Sequence, residues 1–213
     1  IMRPDEVLDT LQRAGFEAWY VGGCVRDTLL GRPIHDWDVT TSALPEQVLA
    51  LFPRTVPTGL QHGTVTVLSD SGPVEVTTYR ADGDYHDGRH PDGVRFVRSL
   101  REDTARRDFT VNAMVMAQDG RIVDYHGGRA DLAAGILRCV GAPERRVRED
   151  ALRMLRAYRF AAQLGFAIEP ETWAALLRCA PLCKQLSRER ITEEVTKTIR
   201  SPSPQWAAAM IRC

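Results

Sequence analysis

The sequence predicts an α+β chain, a domain of mixed β-sheet and helices over residues 1–140 followed by an all-helical domain over residues 141–213. Two observations predict it. Up to residue 140, short alternating runs are interleaved with helical runs and glycine turns. From residue 143 onward the apolar spacing is helical and the strands stop. Apart from the fold, the charge divides: residues 1–88 carry 6 Lys+Arg against 13 Asp+Glu, and residues 89–213 carry 22 against 15, so a formal net charge of +0 conceals an acidic part and a basic part, which suits a site where metal cations meet a polyanion. With 44% hydrophobic residues the chain can bury a core. No run of eighteen apolar residues exists, which argues against a membrane span, and the acidic start "IMRPDEVLDTLQ" lacks the apolar stretch of a signal peptide. The five cysteines show no zinc-ligand spacing and are expected to be reduced thiols in a cytoplasmic protein.

The elements follow in order. "PDEVLDTLQRAG" places apolar residues at 7, 8 and 11 and stops at Gly15, so it reads as a helix. "EAWYV" is a strand; Gly22 and Gly23 then turn into the helix "VRDTLL", stopped by Gly31. "IHDWDVTT" alternates as a strand, and "PEQVLALF" is a helix opened by Pro45. "GTVTVLS" and "VEVTTYR" form a hairpin around "DSGP". Residues 81–93, "ADGDYHDGRHPDG", have no apolar pattern and are expected to be a long, poorly ordered loop with a functional role. "VRFVRS" is a short extended segment. "LREDTARRDFTVNAMVMA" reads as a helix, "RIVDY" as a strand, "ADLAAG" as a helical turn and "ILRCV" as a strand. "PERRVREDALRMLRAYRFAAQLG", "PETWAALLRCA" and "SRERITEEVTKTIR" are helices.

Chemistry concentrates in "YVGGCVRDTLLGRPIHDWDVTT". On a strand, residues i and i+2 share a face, so Asp36 and Asp38 project together and Trp37 points the other way. Two carboxylates this close repel unless a cation lies between them, and oxygen donors of this kind suit Mg²⁺. Glu75, on the neighbouring strand, is a candidate third carboxylate. A lone D-x-D is more often a turn cap beside a solvated acid, but here a glycine turn precedes it. Gly22 and Gly23, between strand and helix, let a phosphate approach the backbone, and Arg26 adds a forked donor. Phosphate cradle and carboxylates together read as metal-assisted nucleotidyl transfer.

The motifs "GGCVRD", "HDWDVTT", "VEVTTYR", "RRDFTVNA", "DYHGGRADL" and "REDALRMLRAYRF", in this order and spacing, resemble the class II tRNA nucleotidyltransferase and bacterial poly(A) polymerase family, and the likeness to bacterial CCA-adding members covers about residues 18–200. The resemblance implies a DNA polymerase β-like nucleotidyltransferase head and a helical neck. It implies template-independent transfer of CMP and AMP from CTP and ATP to the 3′ end of tRNA, with no membrane and no protein partner. Asp36 and Asp38 then correspond to the metal-binding pair, Glu75 to a third acidic position, and Gly23 and Arg26 to triphosphate contacts. Arg107 and Asp108 hold phosphates and ribose, with Asp108 accepting from a 2′-hydroxyl. Asp150 and Arg153 read the nucleobase, and Arg156 and Arg159 make further nucleotide contacts. The family's members also continue into C-terminal domains that grip tRNA.

The reader assignment has a physical basis. Cytosine and adenine share an amino donor beside a ring-nitrogen acceptor; uracil and guanine present the reverse. An aspartate with an arginine three residues on, neighbours on a helix face, satisfies the first pattern and mismatches the second, at about 1–3 kcal/mol per unpaired group. Glu149 and Arg153 also form an i, i+4 pair, so a solvated salt-bridged face is the competing reading. The retained 81–93 segment favours CCA addition, leaving A-adding, CC-adding or poly(A)-polymerase activity as alternatives. A catalytically silent RNA-binding module is disfavoured by the intact aspartates, and nucleotidylation of a small molecule or protein by "RRDF" and "EDALR".

Overall fold

The computed structural model describes residues 2–81 and 95–211. The chain forms two compact units, one of Ile1–Arg107 with Asn112–His126, the other of Asp108–Val111 with Gly127–Cys213. The division falls near residue 127, earlier than the domain limit at 140 expected from the sequence.

In the first unit, α1 (Asp5–Arg13) buries Val7, Leu8 and Leu11, the residues its periodicity singles out. It is followed by β1 (Ala18–Val21), α2 (Gly23–Leu30), β2 (Trp37–Thr41) and α3 (Pro45–Leu51). Next come β3 (Thr55–Gly59), β4 (Thr64–Ser69), β5 (Gly72–Thr78), β6 (Arg80–Ala81), β7 (Arg95–Phe96), α4 (Leu100–Ala105), β8 (Val115–Met116) and β9 (Ile122–Val123). Seven of the strands make one sheet in the order β3-β4-β5-β2-β1-β8-β9. The β2–β5 pair is parallel, and its register sets Asp38 opposite Glu75. Val21, Tyr79 and Val115 pack together with Leu100 of α4, and Trp19, Val97 and Val123 lie against them. Trp37 is buried against Tyr20, ring centroids 4.9 Å apart.

The helix expected over "LREDTARRDFTVNAMVMA" ends at Ala105. Asp108–Val111 belongs to the second unit, where Phe109 bridges Cys139, the Thr110 N–H donates to the Arg138 carbonyl (2.9 Å) and the Val140 N–H to the Asp108 carbonyl (2.9 Å). Phe109 is completely buried and packs edge-to-face on Phe160. β-branched residues at 110, 111 and 115 resist the helix, and this extended pairing with a buried aromatic overrides the helical spacing. The strand β3 was not expected: its "TVPTG" carries a proline and a glycine, and it lies at the sheet edge, where both are tolerated.

The second unit holds α5 (Gly128–Ala134), β10 (Ile136–Leu137), α6 (Pro143–Glu149), α7 (Leu152–Leu164), β11 (Ala167–Ile168), α8 (Pro170–Cys179), α9 (Arg188–Ile199) and α10 (Ala207–Ile211). Strands therefore do not stop at residue 143: β11 pairs in parallel with β10, and two residues are too few for alternation to show. The single helix expected over 143–165 is broken at Asp150, which is extended (φ −151°, ψ 106°). The core is Leu137, Met154, Leu155, Leu176 and Met210, with Tyr158 stacked on Trp206. Cys24, Cys139, Cys179 and Cys183 are free and buried; Cys213 and the 82–94 stretch, with the loop expectation placed on it, lie outside the described residues.

Candidate active site

In the first unit, the turn into α2 is a glycine requirement. Gly22 has φ +82° and ψ −139°, a region closed to residues with a Cβ. Among the described residues no side chain caps the N-terminus of α2, so its first N–H groups are left for a ligand or water. The Cys24 thiol reaches the Val21 carbonyl (3.3 Å) and the Asp38 carbonyl (3.9 Å), tying the turn to β2. Arg26 is buried; its Nη1 donates to Asn112 Oδ1 at 2.6 Å and its Nε to Asp27 Oδ1 at 3.0 Å, which fixes the guanidinium.

Asp38 lies on β2 beside Glu75 of β5. Asp36 falls one residue before the strand begins and is exposed, so the two aspartates are not both strand residues as expected. Burial pushes the Asp38 carboxyl up to about 6, the Glu75 charge adds to the shift, Arg107 opposes it, and Asp36 and a hydrogen bond with Glu75 raise it further. A half-buried carboxylate crowded by two others is what a divalent cation relieves. Among the described residues no three acidic, histidine or cysteine side chains stand together as a metal-holding group. One or two carboxylates of this kind are the donors that a hard divalent cation with a shell completed by water and phosphate takes from a protein.

Arg107 faces this cluster. Its Nη2 donates to Asp103 Oδ2 at 3.4 Å, its Nε is buried without a partner among the described residues, and its Nη1 lies 4.0 Å from where a Cβ on Gly22 would stand. Asp103 is completely buried and also accepts from Thr40 Oγ1 (3.0 Å) and the Arg80 backbone N–H (3.1 Å). It thereby holds Arg107 relative to β2, and sequence reasoning missed it. The signal was its place one helical turn before Arg107. Asn112 and Asp27, which hold Arg26, were missed likewise.

In the second unit, Asp108 is buried, and Arg156 donates to its Oδ2 from Nε (2.8 Å) and Nη2 (2.7 Å), while Oδ1 accepts the Phe109 N–H at 2.7 Å. Burial alone would raise its carboxyl; the Arg156 charge, these bonds and Arg153 outweigh it and hold it below the usual carboxylate range. Arg159 is buried and paired with Glu194 and Gln163. Asp150 and Arg153 are not neighbours on one helix. Asp150 sits in the break, its Oδ1 accepting the Leu152 N–H at 3.1 Å, and Arg153 lies in the first turn of α7. Aspartate favours such a capping position over a helix interior. Arg153 Nη1 donates to the Arg146 carbonyl (2.8 Å) and Glu149 Oε2 (2.9 Å). Its side chain is 13% exposed, so it is not part of a solvated face.

Residues 18–138 match the model of the poly(A) polymerase head domain, more than half of the chain. The chain belongs to the poly(A) polymerase head-domain family. Residues 165–212 match a second model, described as a probable RNA and SrmB-binding site of polymerase A. The CCA-adding enzyme of Geobacillus stearothermophilus is 52% identical over 196 residues, 92% of this chain and 48% of that protein. That of Lactiplantibacillus plantarum is 50% identical over 198 residues, 93% and 49%. The chain thus spans about half the length of the curated relatives it matches. The crystal structure of the Bacillus stearothermophilus CCA-adding enzyme in complex with CTP superposes with a TM-score of 0.90 at 46% identity, covering 99% of this chain and 52% of that one. The expected fold class, a nucleotidyltransferase head followed by a helical neck, is that of this poly(A) polymerase family member.

Proposed function

We propose that this chain carries the nucleotide-selecting and nucleotidyl-transferring part of a cytoplasmic enzyme that adds C, C and A to tRNA 3′ ends from CTP and ATP with Mg²⁺. The observation that carries the reading is the Asp38 cluster: a half-buried carboxylate beside Glu75 and Asp36, facing Arg107 and joined to a glycine turn. An RNA-binding module has no use for so unfavourable a charge. Relatives of about 50% identity bearing the name CCA-adding enzyme support the substrate assignment.

Asp36 and Asp38 would hold Mg²⁺, which lowers the pKa of an attacking hydroxyl and neutralises charge on a leaving pyrophosphate. The chain's own residues bind and orient. The Gly22–Gly23 turn presents α2 N–H groups, and Arg26 and Arg107 present guanidiniums, to the triphosphate. Asp150 accepts from the exocyclic amine shared by cytosine and adenine, and Arg153 donates to the ring nitrogen. Asp108 accepts from a ribose hydroxyl, with Arg156 and Arg159 as further contacts. Glu75 keeps Asp38 basic enough to favour a bound cation. The segment 81–93 favours CCA addition over CC addition.

The test incubates the chain with Mg²⁺, tRNA lacking its CCA end and each labelled NTP in turn, alongside Asp38→Ala. Incorporation of CMP and AMP, none of UMP or GMP, and none by the variant is the expected result. Incorporation by Asp38→Ala at near wild-type rate overturns it.

A further inference from the structure

We infer that Arg190 is a positioning residue for base selection: it sets the direction in which Asp150 can accept a hydrogen bond from the nucleobase. The inference rests on the reading of Asp150 as the nucleobase acceptor, and deepens it.

Asp150 stands in the break between α6 and α7, on extended backbone, with no helix to fix its side chain. Two donors fix it. The Leu152 N–H donates to Oδ1 at 3.1 Å, and Arg190 Nη2 reaches across from α9 to Oδ1 at 3.4 Å and Oδ2 at 3.2 Å. Arg190 is in turn anchored at the start of α9, where its N–H donates to Oγ of the capping Ser187 at 3.3 Å. Among the described residues, Asp150 is the carboxylate with which Arg190 pairs.

Counting lone pairs gives the consequence. A carboxylate offers about four acceptor directions, two on each oxygen. Oδ1 has both directed at Leu152 and Arg190, and Oδ2 has one directed at Arg190. One direction on Oδ2 remains, and the Asp150 side chain is 39% exposed, so a ligand can reach it. With Arg190 in place, an incoming base must bring its donor to that one direction. Cytosine and adenine do so with the exocyclic amine. Without Arg190 the Leu152 N–H holds a single oxygen, and the carboxylate is free to turn about its last torsion. A turned carboxylate can accept from the ring N–H of uracil or guanine, the donor the site has to reject. Selectivity then depends on the angle at which the carboxylate is held as much as on its presence.

The experiment measures affinities of CTP, ATP, UTP and GTP, with Mg²⁺, for the wild-type chain and for Arg190→Ala, Arg190→Lys, Arg190→Gln and Asp150→Ala. Arg190 is about half exposed (49%), and a melting curve on each variant confirms that it is folded; Arg190→Gln, which keeps a planar donor, serves if the alanine variant is not. In Arg190→Ala the CTP:UTP affinity ratio is expected to fall roughly tenfold, the scale of one charge-assisted hydrogen bond, with CTP affinity changed far less. Arg190→Lys, a donor without the planar fork, restores the ratio in part. A structural role alone weakens all four nucleotides together and leaves the ratio where it was; that result overturns the inference. If Asp150→Ala collapses the ratio and Arg190→Ala does not, the positioning role fails and the reader assignment stands. If neither variant moves the ratio, the reader assignment fails and takes this inference with it.

Discussion

Removing the Asp108 carboxylate isolates the energetics of the "RRDF" segment. In Asp108→Ala, Arg156 loses two bonds of 2.8 and 2.7 Å and the Phe109 N–H loses its acceptor. Breaking a buried pair by deleting one partner costs about 3–5 kcal/mol, because the other charge stays behind. Arg156 keeps 34% of its side chain exposed, so it rehydrates in part and the lower end, about 3 kcal/mol, applies. At roughly 2–4 °C per kcal/mol for a chain of this size, Tm drops by roughly 6–12 °C. Asp108→Asn keeps an acceptor for the Phe109 N–H and loses only the charge, so it falls between. The pH dependence has a definite sign. The folded carboxyl titrates below its unfolded value, so its contribution is present in full above the unfolded pKa of about 3.9 and is lost as pH falls through the lower folded value. Calorimetric scans of wild type and Asp108→Asn from pH 7 down to pH 2.5 should therefore converge at the acid end. A Tm change under 2 °C for Asp108→Ala at pH 7, or a gap from Asp108→Asn that does not narrow in acid, refutes the reasoning.

Asp38→Asn is expected to abolish CMP transfer yet raise Tm by a few degrees at pH 7.5 without divalent cation, since burial and Glu75 push the acid up to about 6; discounted for partial exposure this is roughly 1–2 kcal/mol. The same raised value means that wild type loses stability between pH 4 and pH 6 as pH rises, and a variant that melts lower than wild type contradicts the electrostatic account. Asp103→Asn keeps the shape around Thr40 and Arg80 but loosens Arg107, so isothermal titration should show all four NTPs weakened together, roughly 3–10-fold, with the CTP:UTP ratio unchanged; a shifted ratio counts against it. Gly22→Ala forces a Cβ into φ +82°, ψ −139°, at about 1–3 kcal/mol, read as a Tm drop of several degrees with triphosphate affinity reduced; an unchanged melting curve contradicts the strain.

The sheet of the first unit was legible because its strands are long enough to alternate. "WDVTT", "TVTVLS" and "GPVEVTT" each span five residues or more and carry β-branched residues in phase. The glycine stop at 31 also read directly, being left-handed in the structure. Non-local pairing was not legible. Nothing near Phe109 signals that its partner is Cys139, thirty residues on, and nothing near Ile136 signals Ala167. The same limit governed the site. The residues proposed to meet substrate stood out by type and spacing, whereas distant supports did not: Asn112 for Arg26 and Arg190 for Asp150. Only where the support lay one helical turn away, as with Glu149 and Arg153, did the sequence show it.

Net charge illustrates the same point from the other side. Counted along the sequence, residues 89–213 carry an excess of seven positive charges, which suits a polyanion. In the folded second unit much of that charge already faces carboxylates. Arg145, Arg146 and Arg153 share Glu149; Arg148 and Arg178 share Glu144; Arg156, Arg159 and Arg190 hold Asp108, Glu194 and Asp150; and Lys197 holds Glu193. Non-specific affinity for a nucleic acid scales with the cations that can neutralise phosphates, and a guanidinium committed to a carboxylate must first exchange partners. Where several arginines share one acid, as at Glu149, the surplus charge remains, held in place and aimed by that acid. The carboxylates of this unit thus work as supports that decide where each arginine points. The base selection proposed for Asp150 and Arg153 depends on such supports, because a donor or acceptor that can swing will satisfy the wrong base as readily as the right one.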